Sequence, residues 1–216
     1  MVHASKTSAK LFMLLTAMVA WVALALQLYI IIDNRPTNGF TIAQAVWRFL
    51  LFFTILSNLL VAISLSISLL MPKSTTGIFF TKNSTAGAIT LYIFVVGLVY
   101  NLVLRSIWHP VGRDKVADEL LHVVVPLLYV IYFIFFSMKG WLKWNTLLYW
   151  MIYPALYLVY ALIRGANENF YVYPFLDLNK LSTCTVVLNC VMVMAAFILF
   201  GALIIGHCRS KSKLKR

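Results

Sequence analysis

Six long apolar runs fill most of this 216-residue chain, and they decide what it can fold into. Each is close to or above the roughly 20 residues that an α-helix needs to cross a bilayer. They are too long and continuous for barrel strands, and lipid does not tolerate unpaired backbone. We therefore predict an all-α integral membrane protein, a bundle of six transmembrane helices. The predicted helices are about 11–32, 47–71, 86–105, 119–138, 146–164 and 181–206.

The composition agrees with lipid as the solvent around such a bundle. Hydrophobic residues make up 62% of the chain, and the mean hydropathy is +0.91. Soluble domains contain about 45–50% apolar residues, so an ordinary soluble fold is excluded. The connections are short, and the sequence shows no linker, repeat or low-complexity tract. Residues 1–216 are therefore interpreted as one domain that ends in a basic cytoplasmic tail, 207–216.

The charges predict the orientation of the helices. The termini and the second and fourth connections carry eleven lysines and arginines and no acid, whereas the opposite side carries seven cations and all six acids. The positive-inside rule then places both termini in the cytoplasm. The net charge of +12 is expected to anchor the tail at anionic lipids, because binding nucleic acid would need a folded basic module.

Strongly polar residues within the predicted helices share a depth in the outer, non-cytoplasmic half of the bundle. Thr54, Ser57 and Asn58 have the spacing i, i+3, i+4, so they lie on one face of the second helix. Polar side chains in a membrane usually face the bundle interior or a wet cavity. A polar pocket is therefore expected, and its other candidate residues are Asn101, Arg105, His122, Tyr157, Tyr160 and Arg164.

Ordinary packing is an alternative for any one of these residues. Asn, Ser and Thr hydrogen-bond between transmembrane helices, and Tyr and Arg anchor helix ends at the interface. The case for a site depends on the shared depth and above all on His122. Asp118 and Glu119 precede it by one turn, and Pro126 follows it by four residues. Because proline has no N–H group, it leaves the His122 carbonyl without its usual helical donor.

Thr54 and His122 have the residue types of a nucleophile and its general base. A threonine hydroxyl needs a neighbouring base to remove its proton, and neutral imidazole is suited to this near pH 7. Either Asp118 or Glu119 is expected to orient the imidazole, as the acid does in a Ser-His-Asp triad. The spacing does not choose between the two acids.

Two further sets of residues complete this hypothesis. Polar groups for the pocket or for a developing oxyanion are Ser57, Asn58 and Asn101. Candidates to bind a carboxylate or phosphate head group of the substrate are Arg48, Arg105, Arg164, Tyr157 and Tyr160.

Other classes of function fit the sequence less well. Glu119 and His122 form one half of a di-iron Glu-x-x-His pattern, but the sequence has no second copy, and it has no pair of histidines placed for haem. We therefore expect no metal and no cofactor. Inverted repeats or glycine-broken helices of a transporter are not evident. A non-catalytic lipid-binding or transport protein that uses the same cavity is the alternative.

Five short segments also resemble a known family in their order and spacing. They are 53–60, 100–110, 117–126, 153–165 and 173–177. Together they resemble the androgen-induced and androgen-dependent TFPI-regulating membrane proteins, and more closely their bacterial six-helix relatives. The animal enzymes follow their threonine with an apolar residue and then an acid or amide, whereas this chain has Ile-Leu-Ser-Asn after Thr54.

The resemblance implies a multi-pass threonine hydrolase that cleaves fatty acid esters of hydroxy fatty acids. The family's threonine nucleophile on the second helix and its histidine base on the fourth map by motif onto Thr54 and His122. The implied partners are a lipid ester substrate and membrane lipids, and the implied location is a bacterial inner membrane. Chain-length preference and oligomeric state are left open.

Overall fold

The computed structural model describes residues 6–34, 39–137 and 141–213, and these residues form helices and turns but no strand. Six of the helices are long and apolar enough to span a membrane. They are Thr7–Asp33, Phe53–Leu70, Asn83–Leu104, Gly112–Ser137, Thr146–Glu168 and Thr183–Ser210. The predicted all-α class and the six spanning helices are confirmed.

The helices are labelled here in chain order. They are α1 (Lys6–Asp33), α2 (Ile42–Phe49), α3 (Phe53–Leu70), α4 (Thr75–Thr81), α5 (Asn83–Val99), α6 (Gly112–Glu119), α7 (Val125–Tyr132), α8 (Thr146–Glu168) and α9 (Thr183–Lys213). Three π-helical turns continue or join them. Tyr100–Leu104 extends α5, Leu120–Val124 joins α6 to α7, and Phe133–Ser137 extends α7.

The chain divides into two compact units, Met1–Lys139 and Gly140–Arg216. In the first unit α1 packs along α3, α3 packs against α5, α5 packs against α7, and α7 also contacts α1. Small residues allow helices to approach closely in a membrane protein. The buried residues Ala17, Ala20 and Ala23 on α1 and Ala62 on α3 are of this kind.

The second predicted helix, 47–71, begins too early. The chain forms the short helix α2, breaks over residues 50–52, and starts α3 at Phe53. A capping box stabilises the start of α2. The backbone N–H of Gln44 donates to Thr41 Oγ1 at 3.2 Å, and the side-chain Oε1 of Gln44 accepts from the backbone N–H of Thr41 at 2.9 Å. Phe52 is extended, with φ −82° and ψ 127°. Hydropathy does not indicate this break, because residues 50–52 are themselves hydrophobic.

The other helices also differ from their predicted ends, and the fourth and sixth extend furthest beyond them. The fourth begins at Gly112 rather than at residue 119, because the polar residues there continue the helix and do not form a loop. The sixth, predicted as 181–206, continues to Lys213, so the first part of the predicted basic tail is helical. Residues 214–216 of that tail, and residue 138 at the end of the fourth predicted helix, lie outside the described residues.

The second unit consists of α8, the 3-10 turn Pro174–Leu176 and α9. Both α8 and the 3-10 turn pack against α9. Arg209, near the end of α9, was expected in a solvated tail. Its guanidinium carbon instead lies 3.9 Å from the centre of the Trp141 ring, and the guanidinium donates to the Leu142 carbonyl at 2.9 Å. This arginine therefore fixes the end of α9 to the segment that precedes α8.

Candidate functional site

Thr54 and His122 are in contact in the first unit. Thr54 Oγ1 lies 3.2 Å from Nε2 of His122, although the two residues are 68 positions apart in the chain. Thr54 is 6% exposed and the His122 side chain 14% exposed. The first turn of α3 supplies the hydroxyl, and the π turn between α6 and α7 supplies the imidazole. The two residues singled out in the sequence are thus hydrogen-bonded across two helices.

Asp118 fixes the other side of the imidazole. Nδ1 of His122 lies 2.9 Å from the backbone carbonyl oxygen of Asp118 and 3.2 Å from its carboxylate Oδ1. Both of these oxygens accept hydrogen bonds, so in the neutral ring the proton is assigned to Nδ1. Nε2 then accepts the hydrogen bond from the Thr54 hydroxyl. This is the tautomer that a general base needs.

Glu119, the second acid left open by the sequence, has a different partner. Both of its carboxylate oxygens accept from the Arg105 guanidinium at 2.7 Å. The pair is partly exposed, at 44% for the Arg105 side chain and 36% for that of Glu119. The structure therefore places Asp118, and not Glu119, against the imidazole.

The local shape of the helices explains how His122 reaches this position. The Val125 amide donates to the carbonyl of Leu120, five residues back, so this turn is wider than an α-helical one. Pro126 donates nothing to the His122 carbonyl. A Cβ at Gly97 on α5 would lie only 3.1 Å from that carbonyl oxygen and 3.3 Å from the Pro126 Cβ. Glycine therefore allows α5 to approach the histidine turn.

Thr54 occupies the second position of α3. The helical hydrogen bonds begin with the Leu56 amide, which donates to the Phe52 carbonyl at 3.1 Å. The backbone N–H groups of Thr54 and Ile55 lie before Leu56 in the first turn, so they have no acceptor within the helix. They also lie at the positive end of the helix dipole. The break before α3 therefore brings backbone donors close to the threonine hydroxyl.

Asn58 connects the two elements of the site. It is completely buried, and its Nδ2 donates to the Thr54 carbonyl at 2.8 Å and to the Leu121 carbonyl at 3.2 Å. Both amide hydrogens are used in this way, so none is available to an oxyanion. Two buried side-chain oxygens on α3, Asn58 Oδ1 and Ser57 Oγ, have no hydrogen-bond partner.

The remaining candidates of the first unit are Asn101 and Arg48. Asn101 is exposed and donates to the Gly97 carbonyl at 2.7 Å. Arg48 lies on α2, where its guanidinium carbon is 4.9 Å from the centre of the Phe40 ring. Neither residue has a described hydrogen bond to Thr54 or to His122.

Arg164, Tyr157 and Tyr160 lie on α8, in the second unit. Arg164 is 5% exposed, and it donates to the Tyr160 hydroxyl at 2.8 Å and to Glu168 Oε1 at 2.7 Å. Tyr157 is also buried, and its ring centre lies 6.2 Å from that of Tyr160. These three candidates therefore lie together on α8.

Tyr100 is a residue of the site that was not predicted individually from the sequence, where it belongs to the 100–110 motif. Its ring stacks on the His122 imidazole, with centroids 4.2 Å apart and an angle of 17° between the planes. Its hydroxyl donates to Asp118 Oδ2. A tyrosine near a helix end is usually an interfacial anchor, which is why the residue was passed over. Its position directly before Asn101, at the polar end of the third span, was the available signal.

Within the described residues, no group of three or more His, Cys, Asp or Glu side chains comes together in a way that could hold a metal ion. No protein-family model, curated protein or solved structure matches the chain. The function is therefore inferred from the geometry of the site and from the motifs in the sequence.

Proposed function

We propose that this protein is a metal-independent, intramembrane hydrolase of lipid esters, with Thr54 as the nucleophile and His122 as the general base. The observation that carries the proposal is the hydrogen bond from Thr54 Oγ1 to His122 Nε2, at 3.2 Å, while Nδ1 is held by Asp118. The three groups follow the order of nucleophile, base and orienting acid in Ser-His-Asp hydrolases. Asp118 is the proposed orienting acid.

The first half of the reaction forms an acyl-threonine. His122 Nε2 removes the hydroxyl proton as Thr54 Oγ1 bonds to the ester carbonyl carbon, and the carbonyl electron pair moves onto its oxygen. The amides of Thr54 and Ile55 are the proposed donors to that oxyanion. When the oxyanion collapses, the bond to the leaving oxygen breaks, and the imidazolium returns its proton to that oxygen. The alcohol then departs.

The second half restores the enzyme. A water molecule gives a proton to Nε2 as its oxygen attacks the acyl carbon. Collapse of this second tetrahedral intermediate breaks the bond to Thr54, whose oxygen regains the proton from His122. The carboxylic acid is released. In both halves the Asp118 carboxylate stabilises the imidazolium that forms for a short time.

The substrate class rests on the sequence motifs. The resemblance to the androgen-induced and androgen-dependent TFPI-regulating proteins, through their bacterial relatives, supports fatty acid esters of hydroxy fatty acids. A substrate of this class ends in a carboxylate, and a guanidinium binds a carboxylate in bidentate fashion. Arg105 of the first unit is the proposed carboxylate-binding arginine, because it is partly exposed and its partner Glu119 directly follows Asp118 in the chain.

We further propose that both termini are cytoplasmic and that the site opens toward the non-cytoplasmic side of a bacterial inner membrane. Eleven cations and no acid at the termini and in the second and fourth connections support this orientation. Thr54 is the second residue of α3, directly after the first connection, and Tyr100 lies just before the third. The reacting groups therefore lie near the side that carries the acids.

The test is ester turnover by purified protein in mixed micelles, with branched fatty-acid esters and simple aryl esters offered side by side. Thr54→Ala and His122→Ala are expected to lose at least about 10³-fold in kcat, because each removes a group that acts in the chemical step. Lipid binding and the melting temperature are expected to be unchanged. Thr54→Ser is the matched control, since it keeps a hydroxyl and should keep measurable turnover.

Two results would reject the proposal. One is wild-type turnover that persists in Thr54→Ala and His122→Ala. The other is no turnover of any ester by the wild type, together with lipid binding that Thr54→Val leaves intact. The second result would favour a non-catalytic lipid-binding protein, and flux measurements in proteoliposomes would then test transport.

A further inference from the structure

In the first unit, Tyr100 contacts both His122 and Asp118, the base and the orienting acid proposed to act on Thr54. The tyrosine is 3% exposed and is the first residue of the π turn that follows α5. One contact is the ring stack on His122, and the other is the hydrogen bond from its hydroxyl to Asp118. A tyrosine that serves only as a membrane anchor would instead place its hydroxyl at the interface.

These contacts give the two carboxylate oxygens of Asp118 separate partners. Oδ1 lies 3.2 Å from His122 Nδ1, and Oδ2 accepts from the Tyr100 hydroxyl. A carboxylate held at Oδ2 by a hydrogen bond and at Oδ1 by the contact with Nδ1 cannot rotate without losing one of the two. The acid therefore presents one defined oxygen to the imidazole.

The stack restricts the imidazole as well. With ring centres 4.2 Å apart and planes 17° from parallel, the phenol covers one face of the His122 ring. Rotation of the imidazole about its bond to Cβ would drive it into this face. The Arg105 guanidinium carbon lies 5.1 Å from the centre of the Tyr100 ring, and Glu119 holds that guanidinium, so the tyrosine is itself held in place.

We infer that Tyr100 is a positioning residue of this site: it fixes Asp118 and His122 together, so that Nε2 faces the Thr54 hydroxyl. The kinetic consequence of this inference rests on the proposed hydrolase function, whereas its structural consequence for His122 does not. Tyr100 transfers no proton to the substrate and acts only through its two neighbours.

The experiment compares Tyr100→Phe with Tyr132→Phe in the full-length protein. The first variant keeps the ring and its stack and removes only the hydroxyl. The second is a matched control, because Tyr132 is a buried tyrosine whose ring packs on Tyr129 and Phe136, ten residues beyond His122. Ester kinetics in mixed micelles and nitrogen NMR of labelled histidine are measured on both variants and on the wild type.

In the wild type, we expect the nitrogen signals of His122 to report a protonated Nδ1 and an unprotonated Nε2. Tyr100→Phe should shift these signals and lower kcat about 10- to 100-fold, the range seen when the outer partner of a metal-bound histidine is lost. KM should change less than about twofold, because the substrate is not touched. Tyr132→Phe should leave both measurements unchanged.

The outcomes separate this inference from the proposed function. An active wild type with unchanged kcat and unchanged His122 signals in Tyr100→Phe would overturn the positioning role and leave the hydrolase standing. An inactive wild type whose His122 signals still shift in Tyr100→Phe would support the positioning role and reject the hydrolase. If Tyr100→Phe fails to fold, a fluorinated tyrosine introduced at position 100 keeps the packing and changes the strength of the hydroxyl as a donor. The same shift of the His122 signals is then required.

Discussion

Two polar clusters in this protein are built in different ways. The histidine cluster of the first unit, defined as Thr54, Tyr100, Asp118 and His122, joins residues that are 18 and 68 positions apart in sequence. The arginine cluster of the second unit, defined as Tyr160, Arg164 and Glu168, joins residues four positions apart on α8. From the sequence, Thr54 and His122 of the first cluster and Tyr160 and Arg164 of the second are predicted to share one depth and one pocket.

The difference indicates which contacts stabilise each cluster. Side chains at i and i+4 meet on any helix that forms, so the arginine cluster needs little beyond α8 itself. A charge in a membrane helix is expensive, and Glu168 offsets much of that cost for Arg164. The histidine cluster requires α3, α5 and α6 to meet at one point. Long-range convergence of this kind is the stronger sign of a functional site.

The largest effect that tests this comparison is expected at Asp118. Asp118→Asn should lower kcat about 10²- to 10⁴-fold, because the neutral amide no longer stabilises the charged form of His122. Glu119→Gln is the matched comparison and should lower kcat much less, since Glu119 pairs with Arg105 and not with the imidazole. Both are measured as ester turnover in mixed micelles. Equal losses in the two variants would assign the orienting role to neither acid alone.

A smaller effect, on stability and not on chemistry, is expected in the arginine cluster. Arg164→Met should cost about 1–3 kcal/mol of unfolding free energy, because the Glu168 carboxylate and the Tyr160 hydroxyl lose a donor. The kcat and KM of the folded protein should stay within about threefold. Thermal melting in detergent and ester kinetics measure the two quantities. A KM raised tenfold or more would break the comparison, since Arg164 would then contribute to substrate binding.

The smallest effect compares two glycines. Gly97→Ala places a methyl group 3.1 Å from the His122 carbonyl, so the histidine turn must shift by a few tenths of an ångström. Gly206→Ala on α9 meets no atom within 4 Å and should gain up to about 1 kcal/mol from helix propensity. Gly97→Ala should therefore be less stable than Gly206→Ala by about 1 kcal/mol, with reduced turnover. A stabilised, fully active Gly97→Ala would show that close approach of α5 is not needed.

Much of the fold could be predicted from the sequence because the bilayer imposes simple requirements. Any run of about 20 apolar residues must satisfy its backbone internally, so hydropathy alone identifies the six spanning helices. Depth along a helix follows from residue number, which is why Thr54 and His122 were placed at one level. Motif resemblance selected the same pair. The break at residues 50–52 was not predictable in this way, because hydrophobic residues lie on both sides of it and glycine and proline are absent there.

Only the tertiary structure decided which partners meet. Asp118 and Glu119 both precede His122 by one helical turn, and sequence spacing treats them alike. The rotation of α6 against α5 brings Tyr100 to Asp118 and Arg105 to Glu119, and so assigns the two acids different partners. The carbonyls of Thr54 and Leu121 take both amide hydrogens of Asn58. Sequence by itself determined the helices and the depth of their polar residues, but helix rotation, π turns and close approach at Gly97 depend on packing between distant segments.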